Sequence, residues 1–400
     1  MLMQFLVRAI STRSLKLVQK IRTTPVLLFA AIALMQFSAF GDEPQEPLPF
    51  TGVFTNGSDG YPVFRIPAIV KTHQGTLLAF AEARAARADG SQNKIVLKRS
   101  HDKSVTWEKA QLIWDDSANS LNNPTVVVEN QTGRIVLIFQ RYPKGIYEND
   151  VVPGLDGERI CRAFVTYSDD DGLTWAKPTD ITASVKRPTA TSIASGPGIG
   201  IQLARGKHAG RIIIPFNQGP IATGKVYAVF SDDRGATWKY GQTAPGESKG
   251  SANEVQMVEL SDGSVLLNAR NQHGPHVRKT AVSHDGGETW STLQDEPQLI
   301  EPTCQASLIR HSTIDNPIEE ILLFSNPAST TARTNGTIRL SRDEGKTWPI
   351  SRVICPDRFG YSCLVSLDDK NIGCLFEHGQ KICFCRFSLD WLMDIKETAK

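Results

Sequence analysis

Seven short stretches place charged or phenolic side chains beside strand-like or Gly/Pro-marked segments. They are "VFRIPAIV" with Arg65, "AFAEARAARADGS" with Arg84 and Asp89, "SANEVQMVEL" with Glu254, "LLNARNQ" with Arg270, "TARTNGTIRLS" with Arg333, "FGYSCLVSL" with Tyr361 and "CLFEHG" with Glu377. Arginine offers a planar fork of donors that fits a carboxylate, and its charge persists at any working pH. Asp and Glu can give or take a proton, and a tyrosine can attack carbon if a base and positive charge stand beside it. Taken singly, each residue also has a structural explanation: an arginine in a strand snorkels or pairs at the rim, and an Asp before Gly serves a turn. Acting together requires a fold that gathers positions 65 to 377 at one place.

The elements that could do this are announced by a repeat. The pattern S-x-D-x-G-x-T-W occurs as "SHDKSVTW" from Ser100, "SDDDGLTW" from Ser168, "SDDRGATW" from Ser231, "SHDGGETW" from Ser283 and "SRDEGKTW" from Ser341. Its aspartates, at 102, 170, 233, 285 and 343, are 68, 63, 52 and 58 residues apart. Five near-copies cannot all be active sites, and a period of about sixty residues marks a repeat architecture. The segments between the boxes, such as "RIVLIFQRY", "KVYAVFSDD" and "EILLFSNP", are short, β-rich and bounded by Gly, Pro, Asn and Asp. The boxes are expected on hairpins within a sheet. There the Asp accepts from turn N–H groups, Gly supplies positive φ and Trp covers the blade edge. Ser104, which replaces the glycine in the first box, predicts a slightly different turn.

About 355 residues divided by this unit gives six, so the expected fold is all-β, a six-bladed β-propeller over residues 42–400. The box-less blade should be the one built from the two chain ends. Closure is expected from a strand near "VFRIPAIV" pairing with one near "KICFCRF", and "SLDWLMDIKETAK" should finish as a short helix. In such a ring the channel mouth collects loops from every blade, so the chemistry should lie outside the boxes.

Composition bounds the rest. Residues 1–41 carry Arg8, Arg13, Lys16, Lys20 and Arg22 without an acid, then an apolar run from Val26 to about Phe40. This reads as an export signal, with an uncleaved membrane anchor as the alternative. The remainder, 39 basic against 42 acidic residues, carries about −3 and offers no platform for nucleic acid. The seven cysteines show neither C-x-x-C nor zinc-ligand spacing, and Cys383 and Cys385 should share one buried strand face.

"FRIP" at 64–67 followed by several boxes resembles the exo-sialidase (neuraminidase) family, from about Gly52 to Leu392. The resemblance implies that Arg65, Arg270 and Arg333 form a triad gripping the sialic acid carboxylate. It implies Asp89 as acid/base, Tyr361 as nucleophile, Glu254 as the glutamate partnered with that tyrosine, and Glu377 as the acid orienting Arg65. Arg84 matches a position that contacts the sugar ring. The implied partners are sialylated glycans (glycoproteins, gangliosides, oligosaccharides), with no obligatory membrane partner and no metal or organic cofactor. The N-terminal segment, for its part, implies an exported setting, periplasmic, secreted or lumenal, with membrane anchoring as the alternative. The implied reaction is hydrolysis with retention through a sialyl-tyrosine intermediate. Rival readings are a non-catalytic glycan- or protein-binding propeller, and a variant that transfers the sugar or releases an anhydro product.

Overall fold

The computed structural model of the protein describes residues 48–246, 251–311 and 321–394; the expected export signal in residues 1–41 lies outside them. Six sheets, antiparallel except for one short pair, follow one another along the chain and form a six-bladed β-propeller. Blade one comprises Val63–Lys71, Leu77–Arg84, Lys94–Ser100 and Gln111–Trp114, paired in that order. Blades four and five repeat the scheme from Ala252–Glu259 and Ser307–Arg310. Blade two adds Gly198–Ile199, parallel to Ser120–Val128, at its inner edge, and Ile201–Gln202 pairs with Ile212–Gln218 of blade three. The α-helices among the described residues are Thr182–Val185 and Leu389–Met393, the latter capped by the Ser388 hydroxyl, which accepts from Trp391 N–H at 3.0 Å.

Blade six closes the ring. Ser362–Ser366, Asn371–His378 and Lys381–Ser388 are completed on the outside by Phe50–Thr55, with Phe50 opposite Cys385. The closing strand is therefore "FTGVFT" and not "VFRIPAIV", which is the innermost strand of blade one. The pattern explains the difference: "VFRIPAIV" is buried along most of its length, as an axial strand must be, whereas Phe50–Gly52 are exposed, as suits an outer edge.

The apolar core is distributed between blades. Six clusters of buried side chains each draw on two adjacent blades: for example Leu78, Phe80, Val126 and Leu137 between blades one and two, and Ile213, Ala228, Met257 and Leu267 between three and four. The boxes seal these seams. Trp238, Trp290 and Trp348 are buried in the cluster between their own blade and the preceding one, while Trp175 and Trp107 pack against the equivalent clusters. Each box aspartate accepts from the backbone N–H of its own Thr, at 2.8–2.9 Å, and from that Thr hydroxyl.

Every box lies between the third and fourth strands of its blade. Blade six lacks one because its fourth strand arrives from the other end of the chain, leaving no hairpin to carry it. Ser104 corrects the expected variant turn: at φ +75° it adopts the glycine's left-handed conformation, and its N–H donates to Ser100 Oγ at 2.9 Å as Gly172 N–H does to Ser168 Oγ.

All seven cysteines are free and buried, and Cys383 and Cys385 share one cluster.

Candidate active site

Innermost strands run along the axis, and three of them break register where site residues stand. The pairing shifts between Arg65 and Ala68 in blade one, between Asn122 and Thr125 in blade two, and between Ala252 and Val255 in blade four. A bulge re-aims the side chains it carries, which is what a strand needs if Arg65 or Glu254 is to face the channel and not the seam. At the first bulge Ile66 has φ +62°, a costly conformation for a β-branched residue. Its N–H donates to Glu377 Oε1 at 3.0 Å, one of the contacts that hold it there.

Tyr361 stands at the centre. Its hydroxyl donates to Glu254 Oε1, and Arg270 Nη1 lies 2.7 Å from Glu254 Oε2 and 3.3 Å from the phenol oxygen. The guanidinium carbons of Arg65 and Arg333 sit 5.2 and 5.4 Å from the Tyr361 ring centroid. The arginines predicted from sequence thus converge on one tyrosine. Burial holds its proton well above the usual phenol range, reinforced by the Glu254 charge and opposed by Arg270, Arg333 and Arg65. At rest the phenol is neutral.

The arginines are fixed from behind. Arg65 Nε and Nη2 donate to the two oxygens of Glu377 at 3.1 and 3.3 Å. Burial would raise the Glu377 carboxyl, but Arg65 and the Ile66 N–H outweigh it and hold it below the usual carboxylate range. Gly360 permits this approach, since a Cβ there would lie 2.5 Å from Glu377 Oε2. Arg333 Nη2 donates to the Thr303 carbonyl at 3.2 Å. The Thr303 loop is itself anchored by the fully buried Arg278–Glu301 pair at 2.6 Å and by Arg278 donating to the Cys304 carbonyl at 2.7 Å.

Asp89 is open to solvent, its side chain 71% accessible on the loop after Leu77–Arg84. Arg84 Nη1 donates to Asp89 Oδ1 at 2.7 Å and Arg65 Nη1 lies 3.6 Å from the same oxygen. Arg84 is 1% exposed, is engaged with Glu82, Asp89 and the Arg87 carbonyl, and lines neither recess described below.

Glu82, fully buried, accepts from Arg84, Asn93, Asn122 and the Asn123 N–H; burial pushes its carboxyl up to about 7 against the pull of Arg84 and that N–H. The sequence carried a signal for Glu82: it stands two residues before Arg84 in "AEAR", on the same strand face.

Asp89, Glu254, Arg270 and Tyr361 line a cavity of about 380 Å³. Arg65, Arg333 and Glu377 line an adjoining recess of about 410 Å³. The cavity also presents residues that sequence reasoning missed: Asn122, Tyr142, Glu148, Asn217 and Asn253. Glu148 accepts from Ser192 Oγ at 3.1 Å; burial pushes its carboxyl up, with Glu254 and Asp89 adding to the rise. It comes from the turn-rich "YEND" segment of blade two, where nothing in the local pattern sets it apart. This chemistry can fix an anion against guanidiniums, shift a proton between Tyr361 and Glu254, and exchange a second proton through Asp89 with a group entering from solvent.

The family model for the BNR repeat-like domain matches residues 75–374. A sialidase of Micromonospora viridifaciens is 38% identical over 349 residues, covering 84% of this chain and 53% of its own length. A sialidase of Bacteroides fragilis (strain YCH46) is 31% identical over 348 residues, covering 82% of this chain and 62% of its own. The chain thus spans between half and two thirds of the length of these two relatives. Among solved structures, the Hadza microbial sialidase Hz136 superposes with a TM-score of 0.78 at 29% identity, covering 86% of this chain and 69% of that one.

Proposed function

The chain belongs to the BNR repeat-like family and is similar over most of its length to sialidases, and on that premise we propose that it is a retaining exo-α-sialidase acting on terminal sialic acids of glycans. The observation that carries this reading is the Tyr361 hydroxyl bonded to Glu254 within a ring of Arg65, Arg270 and Arg333. Binding an anion would need the arginines alone; a phenol with its own base adds the means to break a bond.

The substrate's anomeric carbon bears a carboxylate, which the arginines hold. A carboxylate nucleophile would be repelled there, whereas a neutral phenol can approach. As the Tyr361 oxygen bonds to the anomeric carbon, its proton passes to Glu254, and the departing glycosidic oxygen takes a proton from Asp89. The arginines offset the negative charge that builds on the phenol oxygen during attack. Water then displaces Tyr361, giving its proton to Asp89, while the phenolate recovers the proton held by Glu254. Two inversions give net retention.

The test is incubation of the purified chain with sialyllactose, followed by proton NMR of the first product. Release of the α-anomer of the free sugar supports the proposal. First release of the β-anomer or of an anhydro sugar overturns the retaining hydrolase, and absence of any release overturns the enzymatic reading.

A further inference from the structure

The recess adjoining the catalytic cavity is built from more positive charge than the reacting sugar needs. Its walls include Arg65, Arg87, Arg333, Arg358, Phe359 and Glu377. Glu377, the carboxylate among them, is already occupied by both donors of Arg65 and by the Ile66 N–H. Arg87 and Arg358 have exposed side chains with no ion-pair or hydrogen-bond partner among the described residues. Neither takes part in the chemistry derived above.

Their placement gives them a use. Arg87 stands two residues before Asp89 on the same loop, and Arg358 three residues before Tyr361. Arg65 bridges the two spaces, with Nη1 3.6 Å from Asp89 and its partner Glu377 lining the recess. In a sialoside the carboxylate and the glycosidic oxygen are bonded to the same carbon. An aglycone that leaves past Asp89 therefore starts beside the carboxylate grip of Arg65 and Arg333, with Arg87 and Arg358 next in its path. Two unpaired guanidiniums at that point favour an anion and do nothing for a neutral sugar.

We propose that this recess is an aglycone subsite for an anionic group, a carboxylate or a sulfate ester, carried by the sugar next to the departing sialic acid. Such a group would dock on Arg87 and Arg358, so that acidic glycans are taken in preference to neutral ones. The proposal rests on the sialidase reading and specifies its substrate class.

The experiment compares kcat/KM on three substrates: sialyllactose, with a neutral aglycone; an α2,8-linked disialyl lactoside, supplying a carboxylate; and a sulfated sialyl-lactosamine. The enzymes are the wild type and the double variant Arg87→Ser/Arg358→Ser. The variant is expected to lose about tenfold on one or both acidic substrates, mainly through KM, while staying within about twofold on sialyllactose. Which acidic substrate suffers identifies carboxylate or sulfate as the docked group. The wild-type preference for that substrate should also shrink as salt is raised. Equal loss on all three substrates, or none on any, overturns the subsite while leaving the sialidase reading intact. A wild type inactive on all three overturns both.

Discussion

Arg84 donates to Asp89 across 2.7 Å, joining a guanidinium that is 1% exposed to a carboxylate that is 71% exposed. A carboxylate on an open loop is thereby held by an anchor inside the blade. If Asp89 protonates the leaving oxygen, its loss should matter in proportion to how badly that oxygen needs the proton. Asp89→Ala is expected to lower kcat/KM on sialyllactose by about 10²- to 10⁴-fold and far less on an aryl sialoside with an acidic phenol. Arg84→Gln should show the same ordering at smaller amplitude. Equal losses on both substrates would exclude Asp89 as the acid.

Removing the Tyr361 hydroxyl leaves the arginines and Glu254 in place, since Arg270 Nη1 still holds Glu254 at 2.7 Å. Tyr361→Phe is expected to bind sialic acid with a Kd close to that of the wild type while losing most turnover. Glu254→Gln should lose about 10²- to 10⁴-fold in kcat as the base is deleted. Calorimetric binding beside steady-state kinetics separates the two effects, and a Tyr361→Phe enzyme with ordinary turnover would sink the nucleophile.

The direction in which Tyr361 is perturbed can be read by titration. Its folded value lies above the ordinary phenol value near 10, so the folded protein keeps a proton that the unfolded chain releases. Stability is therefore unaffected by this group below about pH 10 and falls as the pH rises further. An ultraviolet difference spectrum of wild type against Tyr361→Phe should show no phenolate from this residue at neutral or mildly alkaline pH. A step below about pH 9 would contradict the burial and charge balance described.

The box aspartates shift the other way. The Thr106 hydroxyl and N–H bring Asp102 down to about 2, and Asp170, Asp233, Asp285 and Asp343 are also lowered. Depressed folded values mean that the stabilisation is complete above the unfolded value near 4 and is lost as the pH falls toward 2. Asp233→Asn should reduce the melting temperature at pH 7, leave KM unchanged, and narrow its gap to wild type in scans below about pH 4. A raised KM with unchanged melting would mean that this box serves the substrate and not the seam.

The fold was legible because the boxes are local: their Ser, Asp, Thr and Gly satisfy one another within eight residues and so imprint a spacing on the chain. The convergence of Arg65, Glu254, Arg270, Arg333 and Tyr361 was legible through short motifs whose neighbours are constrained, such as Pro67 and the bulge after Arg65. What stayed hidden depends on closure in space. Glu148 reaches the cavity from an irregular loop, and the Asn93 and Asn122 side chains meet the Glu82–Arg84 pair only once strands from two blades are side by side. The choice of closing strand was missed because "FTGVFT" and "VFRIPAIV" are neighbours in sequence, and only the difference between an outer edge and an axial position tells them apart.

The pairing of Phe50–Thr55 with Lys381–Ser388 makes the ring a belt whose buckle joins the propeller's earliest strand in sequence to its latest. While the ribosome is still making the chain, five blades can stack but none can bear on its far neighbour, and Arg65 and Tyr361 remain strangers. Arg65 is thus brought to Tyr361 only when the belt is fastened, so ring closure and assembly of this cluster should occur together, in one step and not by degrees.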